Sequence, residues 1–104
     1  MANLPFEDEE TVLDAVKPRI KPPRRYQVVL LNDDFTPMDF VVDVLNRFFG
    51  MDAVKAEAVM MAVHEQGKGV CGVYSKEVAE MKVSLVNRFS NENKHPLHCQ
   101  MEVV

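Results

Sequence analysis

Cysteine is scarce in this chain: Cys71 and Cys99 are its only two, and they form no CxxC pair. A zinc or dithiol-redox framework of the common spacings is therefore not written into it. The first residues show no basic stretch followed by an apolar one, so the expectation is a cytoplasmic protein with reduced thiols. No apolar run approaches the length of a membrane span. The catalytic signatures GxSxG and HExxH are missing, as is the phosphate loop GxxxxGK[ST]. Positive charge is also in deficit. Twelve Lys and Arg face sixteen Asp and Glu, a net charge of −4 that argues against a general binder of phosphate backbones and favours acidic sites for cationic groups.

What is present suits one small domain: 104 residues, 47% of them hydrophobic, have room for one core. Residues 1–25 are expected to form a flexible N-terminal tail, with at most a transient turn of helix from Glu9 to Val16. Its acidic block, Glu7 to Glu10, gives way to a basic, proline-rich block from Lys17 to Arg25 that has little to bury. Residues 26–104 are the expected folded domain.

That domain is organised around Leu30-Leu31-Asn32-Asp33-Asp34-Phe35-Thr36-Pro37-Met38. Tyr26 to Leu31 reads as a short strand covered on both faces, stopped by an acidic turn. A helix should follow, with Thr36 as its cap, Pro37 in the first helical position and Asp39 as the capping-box acid. Met38, Val41, Val42, Leu45, Phe48 and Phe49 recur at helical spacing up to Gly50. Asp52 is placed to cap a second helix ending near Gln66, with Ala56, Val59, Met60 and Val63 on one stripe and His64 one turn beyond Met60. Gly67-Lys68-Gly69 should break the chain before a strand, Val70 to Tyr74. Ser75 then caps a third helix, whose face should be Val78, Met81, Leu85 and Phe89, widened by Ala79, Val83 and Val86. Beyond Pro96, Leu97, Cys99, Met101 and Val103 alternate with His98, Gln100 and Glu102 as in a half-buried strand. The order β-α-α-β-α-β implies a two-layer α/β (α+β) sandwich, a three-stranded sheet with three helices on one face.

Three chemistries deserve weighing. Cys71 lies in an apolar strand and reads as a buried inert thiol rather than a nucleophile. His95, His98 and Cys99 crowd together in sequence, but strand alternation sends His98 and Cys99 to opposite faces, which speaks against a metal site. The acidic turn has two readings. Asn-Asp-Asp before a helix is common turn chemistry, Met38 and Met60 can fill core gaps, and His64 can sit idle near a helix end. Alternatively, the strand end, the first helix's start and the side of the second helix converge on polar acceptors beside an apolar hollow. A free polypeptide N-terminus suits such a place, because its ammonium has three donors and its first side chain lies immediately alongside.

The motifs Leu31 to Met38, Ala62-Val63-His64-Glu65-Gln66-Gly67, Val70 to Tyr74 and Asn93-Lys94-His95-Pro96-Leu97 together resemble the ClpS family, adaptors of the bacterial N-end rule pathway. The resemblance runs from about Tyr26 to the C-terminus and implies a fold like the C-terminal domain of the ribosomal stalk protein. It implies no enzyme activity and no cofactor. The function it implies is delivery of substrates with a bulky hydrophobic N-terminal residue to the ClpAP protease, through the N-terminal domain of the ClpA unfoldase. By the same resemblance Asn32, Asp34 and His64 hold the α-amino group, with Asp33 adding negative charge. Leu30, Thr36, Met38 and Val41 would line the side-chain pocket together with Met60, Val63 and Leu97, Met38 acting as the gate. Glu77 and Lys82 would dock on ClpA. A ribosomal-stalk type of interaction domain, using its helical face, is the alternative from another class; a small cysteine hydrolase is a more distant one.

Overall fold

In a computed structural model of the protein, residues 22–104 are described. The proposed turn of helix from Glu9 to Val16 lies outside them, as does most of the tail. The elements run β1 (Tyr26–Leu31), α1 (Met38–Phe49), α2 (Ala53–Gln66), β2 (Lys68–Tyr74), α3 (Lys76–Glu92) and β3 (His98–Val103). Strand β1 is central, flanked by β2 and β3, and both pairings are antiparallel. Sheet hydrogen bonding reaches back one residue, the Val104 N–H donating to the Arg25 carbonyl at 3.0 Å.

The three helices cover one face of the sheet. Val28 and Leu30 of β1 point into that layer and are fully buried with Val44, Leu45, Ala56, Ala79, Val86 and Cys99. Each aliphatic side chain so buried contributes on the order of 1.5–3 kcal/mol. Strand β1 was expected to be covered on both faces, but its other face carries no helix. Val29 is buried there too, beneath long polar side chains: the Lys68 ammonium meets Glu102 at 2.9 Å, and Gln27 donates to the same carboxylate at 2.9 Å. Amphipathic stems shield the valine while their heads stay wet.

Strand β2 begins two residues earlier than the sequence suggests. Only Gly67 ends α2, at φ +87°, where a side chain would be strained. Gly69 is already in the sheet opposite Leu30, so tightly against α2 that a Cβ there would stand 2.6 Å from the Val63 Cγ2. Between Val28 and Val29 the register with β2 slips by one residue, a bulge at Cys71.

Two helix ends and one helix face depart from expectation. Helix α1 starts at Met38, with Pro37 in the N-cap position and no side-chain cap. Thr36 therefore does not cap it, Pro37 is not its first residue and Asp39 closes no capping box; the Thr36 hydroxyl is taken by Asp33 instead. Asp52 and Ser75 do cap α2 and α3. In α3 the fully buried positions are Ala79, Val86 and Ser90, whereas Met81 is 51% exposed and Val78 36%. The buried stripe is rotated away from the bulkier residues because α3 lies close to β1 and β3, where small side chains fit. Asn87 fastens it, donating to the Cys99 carbonyl at 3.0 Å and accepting from the Cys99 N–H at 2.8 Å.

Both thiols are buried and free, and burial pushes each up to about 12. They sit on the two outer strands with β1 between them, too far apart to bridge, since two strand spacings come to about 9–10 Å.

Candidate functional site

The turn after β1 is built by one carboxylate. Asp33 Oδ1 accepts from the Phe35 and Thr36 backbone N–H groups, both at 2.8 Å, and Oδ2 accepts from the Thr36 hydroxyl at 2.8 Å. Partial burial pushes the Asp33 pKa up. These hydrogen bonds, aided by the charge of His95, outweigh that and hold the carboxyl below its ordinary value. A carboxylate with three donors is fully engaged, so Asp33 is the frame of the turn.

Its neighbours are left open. The Asn32 backbone N–H donates to the Gly67 carbonyl at 3.0 Å, tying the end of β1 to the end of α2. The side chains of Asn32, Asp34 and His64, by contrast, are exposed and make no hydrogen bond among the described residues. His64 occupies the last turn of α2, three residues before the Gly67 that the strut holds.

Asn32, Asp34 and His64 all border one hollow of about 380 Å³. Its apolar wall is Val41, Met60, Val63 and Leu97, each less than a tenth exposed, and Met38 stands at its edge, 45% exposed. Asp33 and Thr36 contribute their turn, and two residues that the sequence reading did not assign to the pocket, Phe35 and Pro37, complete the rim. Leu30 is the correction: it is fully buried in the core and does not line the hollow. As the last inward-pointing residue of β1 it supports the floor from behind. Leu97 reaches the hollow because Asn87 anchors Cys99 two residues on, a contact that helical periodicity cannot reveal. A second depression, bordered by Pro37, Asp39, Phe40, Asp43 and His95, has no buried residue in its wall.

A site at the small end of ordinary ligand pockets, roughly 300–1,000 Å³, takes one side chain and its polar attachment rather than a large cofactor. One corner is negatively biased and rich in acceptors; the rest is greasy. Among the described residues no three His, Cys, Asp or Glu are grouped as metal ligands would be. His95 packs on the Phe40 ring at 4.3 Å, His98 is exposed and Cys99 is buried.

Comparison with known proteins gives the family. Residues 21–100 match the family described as ATP-dependent Clp protease adaptor protein ClpS. The ATP-dependent Clp protease adapter protein ClpS of Hydrogenovibrio crunogenus is 68% identical over 104 residues, covering all of both chains. That of Xanthomonas campestris is 59% identical over 91% of this chain and 90% of its own. The chain belongs to the ClpS family. A solved ClpS structure, Agrobacterium tumefaciens ClpS2 bound to L-phenylalaninamide, superposes with a TM-score of 0.78 at 36% identity, covering 80% of this chain and all of that one. The β-α-α-β-α-β order and the helices stacked on a three-stranded sheet are thus the ClpS fold.

Of the residues that the ClpS resemblance assigns to partner docking, Glu77 is exposed in the first turn of α3. Lys82 is otherwise engaged. Its ammonium donates to the Phe48 carbonyl at 2.7 Å and lies 5.6 Å and 5.7 Å from the Phe49 and Tyr74 ring centroids. That carbonyl belongs to the last turn of α1, where a cation is favourable.

Proposed function

We propose that this adaptor captures the free N-terminus of proteins beginning with Leu, Phe, Tyr or Trp and hands them to a Clp protease, with ClpA as the partner unfoldase in the cytoplasm. The observation that carries the reading is one hollow in which acceptors and apolar wall adjoin. Asn32, Asp34 and His64 accept the ammonium hydrogens, Asp33 keeps the turn in shape, and the first side chain enters between Met38, Val41, Met60, Val63 and Leu97. A relative holding L-phenylalaninamide, a free amine beside an aromatic side chain, supports it. The exposed Val78 and Met81, beside Glu77, are the proposed docking face for the unfoldase. In this reading the protein acts by binding; its two thiols are buried, so neither is offered as a nucleophile.

Fluorescence anisotropy with a Leu-initiated peptide and its Nα-acetylated twin tests this. Acetylation removes the charge and two of the three amine hydrogens, so the charge-assisted hydrogen bonds are lost and affinity should fall at least about thirtyfold. Equal binding of the two would refute the reading. Affinity of the unacetylated peptide should also decline as pH rises past the free amine's reference pKa of about 7.7–8.0, and keep declining up to the higher value that the acidic corner gives the bound amine. Met38 sets selectivity: its thioether crowds a side chain branched at Cβ, at a cost of about 1–3 kcal/mol. Met38→Ala should admit N-terminal Ile and Val; continued rejection would remove Met38 as the gate.

A further inference from the structure

Phe35 is the only phenylalanine or tyrosine among the described residues that is left exposed, at 81%, and it stands on the rim of the hollow. Its position is not slack. The Phe35 N–H is held by Asp33 Oδ1, the next amide and hydroxyl are held by the same carboxylate, and Pro37 restricts the chain immediately after. The turn therefore fixes the backbone with this ring outward, in water, where an apolar side chain gains nothing for folding.

If the amine sits at Asn32, Asp34 and His64 and the first side chain fills the hollow, the bound chain must leave through the mouth. The second Cα of a peptide lies 3.8 Å from the first, so the second side chain meets the rim. Thr36 offers that side chain no free donor, and Pro37 has none. Phe35 remains. Beside it stand two acidic residues, Asp33 and Asp34, so a flat cation that can stack on an aromatic face is the group it suits best.

We infer that Phe35 is a specificity-determining residue for the second position of the captured chain, its ring receiving that residue's side chain and favouring arginine there. The inference rests on the N-terminus-binding reading above.

The test is a ratio. Affinities for two peptides identical except for Leu-Arg and Leu-Ala at their start are measured by anisotropy with the full chain, its Phe35→Ala variant and its Phe35→Tyr variant, with the Nα-acetylated Leu-Arg peptide as control. The full chain should prefer Leu-Arg by about two- to fivefold, the size of an exposed cation–π contact. Phe35→Ala should bring the ratio close to one, and Phe35→Tyr should keep it. A general distortion of the pocket lowers both affinities together and leaves the ratio standing, and a preference due to the acidic residues alone also survives Phe35→Ala. Either result, or an absence of preference in the full chain, overturns the role of Phe35 while amine-dependent binding persists. Acetylated and free peptides binding alike would instead sink the parent reading.

Discussion

The acidic turn at 32–36 and the patch around Lys82 use charge in the same way. In the turn, Asp33 is consumed by three short hydrogen bonds and Asp34, one residue on, has no partner among the described residues. On α3, Lys82 caps the end of α1 from between two aromatic rings, while Glu77, five residues earlier, is exposed. Each region thus pairs a charge that shapes the frame with one that the frame presents. Charged residues close in sequence do different work, and whether their polar atoms meet a partner in the fold separates them.

The largest expected effect breaks that pairing at the pocket. Asp34→Ala or His64→Ala should weaken a Leu-initiated peptide at least about tenfold, through a lost charge-assisted or imidazole hydrogen bond, with thermal stability within about 0.5 kcal/mol of the parent. Should either variant bind normally in anisotropy, its residue is not an amine ligand. Next comes Lys82→Met, which strands the Phe48 carbonyl and should cost about 1–2 kcal/mol in chemical denaturation, whereas Glu77→Gln should cost almost nothing. Identical midpoints for Lys82→Met and the parent would show that Lys82 is free after all. This also sharpens how partner-binding data are read, because weaker docking of a Lys82 variant reports the α1 end as well as the contact.

The smallest effect is a pH dependence. The folded Asp33 carboxyl lies below its ordinary value of 3.8, so its contribution to stability is complete above that pH and disappears as pH falls through the folded value. Asp33→Asn keeps an oxygen for the two amides and loses the charge. Its stability deficit relative to the parent should therefore close below about pH 3.8 in urea titrations; a deficit that persists unchanged into stronger acid would remove the charge from the account.

How far the chain could be read in advance follows from the same distinction. Element order was legible because each boundary has local chemistry: Asp52 and Ser75 cap, Gly50 and Gly67 turn left-handed. The start of α1 was misread because Thr36 has the residue type of a cap, yet a nearer acceptor, Asp33, claims its hydroxyl. The α3 face was misread because bulk was taken as the guide, while close approach to the sheet selects small residues such as Ala79 and Ser90. Around the hollow, the resemblance pointed to residues that the fold then brings together. It also named Leu30, which alternation along β1 sends into the core instead. Asn87 and Phe35 carried no local signal; one matters through a strand twelve residues away, the other through being forced outward.

The hydrogen bond from Asn32 to Gly67 works as a caliper. It is made by backbone alone and spans the gap between the strand that brings Asn32 and the helix that brings His64. Exchanging Met38, Met60 or Leu97 for side chains of other sizes would deepen or fill the cavity yet leave the jaw width between those two acceptors as it is. On the proposed reading, taste for the first side chain and grip on the chain end can therefore drift independently, so redesigned variants would change which residues they accept while holding the amine in the same way.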